Sequence, residues 1–277
     1  MCTLFRAMGL LEPEPTPLRP TPLANEHLAA GGCFDLRPYY ASLRDRPICR
    51  ELLQVLRTGE PASWASAESG GDWESELADV AFARSITAAM DARGTLLAPA
   101  LANALADVPG DRLLDLAGGS GIYATALVDA RPGLEATVVE RVPVDSAART
   151  ILAGRGYADR VAVMIGDLFG VFPGDHDLHL LSHVLHDWDE DRVRRILTAS
   201  FDALPSGGWL VDHDAHINIY KTGPLHIARY SVLLTHSTWG KCWSVREIDG
   251  FLVDAGFEAI THREAGPDRS VILARKP

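Results

Sequence analysis

Asp115-Leu116-Ala117-Gly118-Gly119-Ser120-Gly121 is the stretch on which the reading of this chain turns. It closes an apolar run, Leu113–Ala117, and leads into a helical pattern from Ile122, so it is a turn between a strand and a helix. Glycines there let a ligand approach the backbone, and the helix start offers unpaired N–H donors to an anionic or polar group. Downstream, short apolar runs alternate with helix-length segments: Thr137–Glu140, Val161–Ile165, Leu178–Ser182 and Trp209–Asp212. Strands separated by helices imply a parallel sheet with right-handed crossovers. After a helix ending near Ala255-Gly256, Phe257–Thr261 and Ser270–Ala274 have hairpin spacing, so the last two strands are expected to pair antiparallel. The expected fold is α/β, a doubly wound and mostly parallel seven-stranded sheet preceded by a helical region.

Upstream the rhythm changes. From about Pro38 to Ala106 the spacing is helical, with Ile48, Leu52, Leu53, Val55 and Leu56 on one expected face and Leu77, Val80, Ala81, Ile86 and Met90 on another. Prolines at 13, 15, 17, 20 and 22 deny the backbone its donors, which predicts a loop or linker over Glu12–Pro22. Three parts follow: residues 1–30, a helical region over 31–108, and an α/β domain that carries the glycine loop over 109–277.

With 47% hydrophobic and 23% charged residues in 277, disorder is excluded as the main state. A net charge of −11 repels phosphate backbones and anionic membranes, which argues against nucleic-acid and membrane partners. No apolar run reaches the roughly 18 to 20 residues of a bilayer span, and Met1–Pro20 lacks a signal-peptide pattern, so a cytoplasmic location is expected. Cys2, Cys33, Cys49 and Cys242 are scattered without a C-x-x-C pair, as expected of free thiols.

Gly119-x-Gly121-x-x-Ala124, with Glu140 placed 21 residues after Gly119, also fits a dinucleotide fingerprint. The acids discriminate. Asp115 before the glycines can hold an ammonium, Glu140 can hold ribose hydroxyls, and Asp167, in Gly166-Asp167-Leu168, can accept from an adenine amine. Those demands describe S-adenosylmethionine better than NAD, with Asp115, Gly118, Gly119, Gly121, Glu140, Asp167 and Leu168 as the cofactor-binding set. Ser182-His183-Val184-Leu185-His186-Asp187-Trp188-Asp189 leaves the carboxyl end of the fourth strand, where open α/β sheets bind ligands. This places His186 beside the cofactor, where a neutral imidazole suits a general base. Asp189 suits a helix cap, and His183 a satisfied polar residue or a helper.

These motifs together resemble the S-adenosylmethionine-dependent small-molecule O-methyltransferases of the caffeate and hydroxyindole type, over about Pro20 to Pro277. The resemblance rests on the glycine loop, Val138-Val139-Glu140 followed by Pro143, Gly166-Asp167-Leu168-Phe169, the segment from His183 to Asp191, and Gly240-Lys241 ahead of the helix ending Asp254-Ala255-Gly256. It implies a class I methyltransferase sheet, His186 as base, Asp214 as its orienting acid and a small, aromatic or secondary-metabolite acceptor. Phe82, Met90, Trp188 and His236, with Trp64 and Trp73, are expected near that acceptor. There are departures. Leu4–Leu11 and Arg19–Leu28 match only the end of the family's winged-helix dimerisation domain, so residues 1–30 are expected to be its remnant and any homodimer to be weakened. Ala117 stands for a third glycine, and Cys242 for a second orienting acid.

The segment also resembles the related 2-oxo-acid C-methyltransferases, in which His186, Asp187 and His236 would hold a divalent metal that stabilises an enolate. Two further classes stay open: a dehydrogenase, for which nothing supplies a nicotinamide site, and a catalytically silent cofactor-binding protein.

Overall fold

A computed structural model describes residues 1–14, 16–29, 34–62 and 73–277. Pro15, Cys33 and Trp64 lie outside them. Helices α1 (Cys2–Ala7), α2 (Pro22–Leu28), α3 (Arg37–Ala41), α4 (Pro47–Thr58), α5 (Trp73–Glu76) and α6 (Val80–Ala104) precede the sheet. Proline 22 opens α2 at a position where no N–H is needed, behind the Thr21 cap. The described residues of the proline-rich stretch before it form no helix, and an antiparallel bridge joins Leu11 to Pro20. Helix α1 lies along the later helix α10 (Leu225–Ser237) through Leu4 and Ala7.

The rest of the chain alternates as expected: β1 (Arg112–Leu116), α7 (Ile122–Ala130), β2 (Glu135–Glu140), α8 (Val144–Gly154), β3 (Val161–Ile165), β4 (Leu178–Ser182), α9 (Glu190–Ala203), β5 (Trp209–Asp214), α10 (Leu225–Ser237), α11 (Val245–Ala255), β6 (Glu258–Glu264) and β7 (Ser270–Arg275). The seven strands lie in the order β3-β2-β1-β4-β5-β7-β6. Strands β1 to β5 pair in parallel, and β7 is antiparallel to both β5 and β6. Leu113, Leu178 and Val211 face a core shared with α6 and α7, whereas Leu114, Leu181 and Leu210 face one built with α9 and α11. A sheet covered on both faces makes its strands nearly continuous apolar runs, which is why they were legible.

Two expectations need correction. Ala117 is not part of β1, because its φ of +53° turns the chain out of the strand. On α4 only Val55 of the expected apolar face is buried, while Ile48, Leu53 and Leu56 stand exposed. Periodicity marks which residues share a face, not whether the fold covers it. Among the described residues no helix is long and apolar enough to cross a membrane, and Cys2, Cys49 and Cys242 are free.

Candidate functional site

The chain order reverses between β1 and β4, and the ligand crevice of an open α/β sheet lies at that point, outside the strands' carboxyl ends. Here the glycine loop, Glu140, the Gly166–Phe169 turn and the His183–Trp188 turn converge on a cavity of about 740 Å³. Its other walls are Trp73 and Leu77, the α6 face of Ile86, Thr87, Met90 and Arg93, and Tyr230, Leu233 and Leu234 of α10. Ala117 and His183 flank the crevice, and both have positive φ, +53° and +58°. Such backbone costs about 1–3 kcal/mol per residue and collects at functional sites.

Asp115 lies beneath the loop, fully buried, rather than on the cavity wall. Neither of its carboxylate oxygens has a hydrogen-bond partner among the described residues. Burial, with the Glu140 charge second, pushes its pKa up to about 8. A Cβ on Gly118 would come within 2.4 Å of that carboxyl group, so glycine keeps the carboxyl group next to the loop backbone. The arrangement suits a cation seated on the loop. Glu140 Oε1 accepts from Gly119 N–H at 2.9 Å and Oε2 from Arg141 N–H at 3.0 Å, which aims the carboxylate at the loop. Burial pushes its pKa up to about 7. Asp167 Oδ1 accepts from Phe169 N–H at 2.9 Å, and Asp167 and Leu168 line the cavity rim.

His186 sits on a 3-10 turn, Leu185–Asp187, after β4. Gly240 packs against this turn so closely that a Cβ there would meet the His186 carbonyl oxygen at 2.1 Å. The imidazole is 5% exposed; its Nδ1 lies 2.6 Å from Asp214 Oδ1 and its Nε2 lies 3.6 Å from Asp187 Oδ1. Burial alone would pull its pKa down, but the charges of Asp214 and Asp187 and the Asp214 hydrogen bond raise it above the ordinary value. His186 in turn holds Asp214 well below the usual carboxylate range against the effect of burial. Asp187 lines the cavity and is pushed up to about 6 by burial. Asp189 caps α9, accepting from Arg192 N–H at 2.9 Å.

Met90, Trp73 and Trp188 line the cavity as expected. Phe82 does not; it packs in the cluster of Leu77, Ala83 and Val144, one helical turn before Ile86 on the same side of α6, toward the start of the helix. His236 is also displaced, since its Nε2 lies 2.9 Å from Glu51 Oε2 of α4. The set of His186, Asp187 and His236 is therefore not assembled, and among the described residues no three His, Cys, Asp or Glu side chains are placed to hold a metal ion. The donors do not fit the metal reading. Arg93 went unnoticed in the sequence, although it follows Met90 by one helical turn on the same face. Its Nε is buried without a partner among the described residues, and its charge reaches Tyr123, His183, His186 and Asp187.

Residues 49–258 match the family model of the O-methyltransferase domain. A 3-hydroxy-5-methyl-1-naphthoate 3-O-methyltransferase of Streptomyces sahachiroi is 35% identical over 165 residues, 59% of this chain and 48% of the relative. The mitomycin biosynthesis 6-O-methyltransferase of Streptomyces lavendulae is 39% identical over 147 residues, 53% of this chain and 42% of the relative. The chain thus matches less than half the length of each. The crystal structure of an O-methyltransferase family 2 protein from Planctomyces limnophilus, in complex with apigenin, superposes with a TM-score of 0.84 at 29% identity, covering 100% of this chain and 80% of that one.

Proposed function

The chain belongs to the O-methyltransferase-domain family, and from that premise we propose that it transfers a methyl group from S-adenosylmethionine to the hydroxyl of a small aromatic acceptor. The observation that carries this reading is the buried His186–Asp214 pair, 2.6 Å apart, opening on a cavity floored by the glycine loop. The cofactor, when bound, supplies a methyl group activated on a sulfonium. The residues present fit it: Asp115, with two unpartnered oxygens under Gly118, suits the ammonium, Arg93 suits the carboxylate, Glu140 the ribose and Asp167 with Leu168 the adenine. At the other end, His186 Nε2 takes the acceptor's proton, while Asp214 accepts from Nδ1–H and stabilises the imidazolium. Asp187, near Nε2, adds to that stabilisation. The walls formed by Trp73, Met90, Trp188 and Tyr230 suit a flat acceptor.

Calorimetry and a phenol assay test this together. Binding of S-adenosylmethionine and its demethylated product but not NAD, with phenol methylation unaffected by a strong chelator, is expected; tight NAD binding, or activity abolished by chelation, would overturn it. In the same reading residues 1–30 are the end of a dimerisation domain, and the exposed Tyr39, Tyr40, Ile48, Leu53 and Leu56 of α3 and α4 support a homodimer. Light scattering should show a concentration-dependent dimer that Leu53→Asp weakens; a monomer at every concentration contradicts it.

A further inference from the structure

The turn between β6 and β7 reaches back into the site. It carries Arg269, whose side chain is only 8% exposed. Arg269 Nε–H donates to His183 Nε2 at 2.6 Å, and its guanidinium carbon lies 5.6 Å from the centroid of the Tyr230 ring. Those two rings are the ones that meet His186 edge-on, His183 at 5.9 Å and Tyr230 at 5.7 Å between centroids. Arg269 Nη1 donates to the Asp268 carbonyl at 2.9 Å, which anchors the head in its own turn. A planar guanidinium can do both jobs at once, giving a directed hydrogen bond from its edge and stacking by its face.

We propose that Arg269 is a positioning residue for His186, acting through His183 and Tyr230. The proposal rests on the reading of His186 as the base. A guanidinium only donates, so His183 Nε2 accepts, and the one proton of the neutral ring sits on Nδ1, facing Ser182 Oγ at 3.2 Å and Tyr123 Oη at 3.3 Å. Burial holds the His183 pKa well below its ordinary value, so this wall of the site stays uncharged when His186 takes up a proton. Tyr230, gripped on its face by the guanidinium, forms the second wall, and burial pushes its phenol up to about 12, keeping it neutral as well. Asp214 fixes Nδ1 of His186 and the two rings fix its plane, which leaves Nε2 a single direction in which to work.

Arg269→Met removes donor and charge while keeping a long stem, and Arg269→Lys keeps the charge without the fork. In the Met variant of the full chain, kcat for phenol methylation is expected to fall about 10- to 100-fold, and in the Lys variant by less. The acceptor KM and the affinity for the demethylated cofactor should stay within about twofold. Nitrogen-15 spectra should show His183 as the Nδ1–H tautomer in the parent and a mixture in both variants, and the pH limb of kcat/KM that reports His186 should shift with it, a change that a merely structural role would not produce. If the Met variant does not fold, the Lys variant decides by the same readouts. A parent chain that methylates no phenol sinks the reading of His186 as base. An active parent with unchanged kcat in the variants, or a His183 that keeps its tautomer, sinks the role of Arg269 alone.

Discussion

His186→Ala is expected to lower turnover by about 10²-fold or more while leaving cofactor affinity nearly unchanged. In the proposed mechanism this cavity-lining imidazole takes the acceptor's proton, whereas Asp115, Glu140 and Asp167 are the carboxylates assigned to the cofactor. The same pair sets the pH profile. Asp214 and Asp187 raise the His186 pKa, and only neutral imidazole accepts a proton, so kcat/KM should rise with pH through a limb above the ordinary value of about 6.5. Asp214→Asn removes the counter-charge, so the limb should move to lower pH while kcat falls, because the imidazolium formed in the reaction loses its stabilisation. Steady-state kinetics across pH 5–9 checks both, in a window of about two units on each side of neutrality. An unchanged kcat in His186→Ala would remove this residue from the mechanism.

Asp115→Asn should weaken S-adenosylmethionine about 10- to 100-fold, the cost of losing a charge-assisted contact, and should change the pH dependence of stability in the ligand-free protein. Asp115 has a raised folded pKa of about 8, so between the unfolded carboxylate value and 8 the native state holds a proton that the unfolded chain has lost. Its contribution therefore decreases stability as pH rises through that window and levels off above about 8. In Asp115→Asn this decline should vanish. For the parent, cofactor affinity should increase as pH rises toward 8, because the ammonium needs the ionised carboxylate. Calorimetry for binding and thermal denaturation from pH 5 to 8.5 measure both effects; an Asn variant with parental affinity and an unaltered stability slope would separate Asp115 from the cofactor.

Local sequence carried the order of strands and helices, the reversed β7, the glycine loop and the position of His186, because each follows from short-range periodicity, turn chemistry and the rule that crevices lie at strand ends. The family resemblance, not local pattern, singled out Asp214, whose pairing with His186 needs only that β4 and β5 be neighbours. Tertiary packing decided the rest. His236 could have faced His186, but α4 brings Glu51 to it. Phe82 and Met90 read alike as apolar residues on one side of one helix, and only the packing around α6 decides that Ile86 and Met90 line the cavity while Phe82, a turn earlier, rests on Leu77, Ala83 and Val144. Arg93 was one helical turn from a recognised residue and so was within reach of the pattern. Arg269 was not: it lies 86 residues from His183, in a hairpin turn with no motif, and no local preference records which side chain such a turn will return to the site.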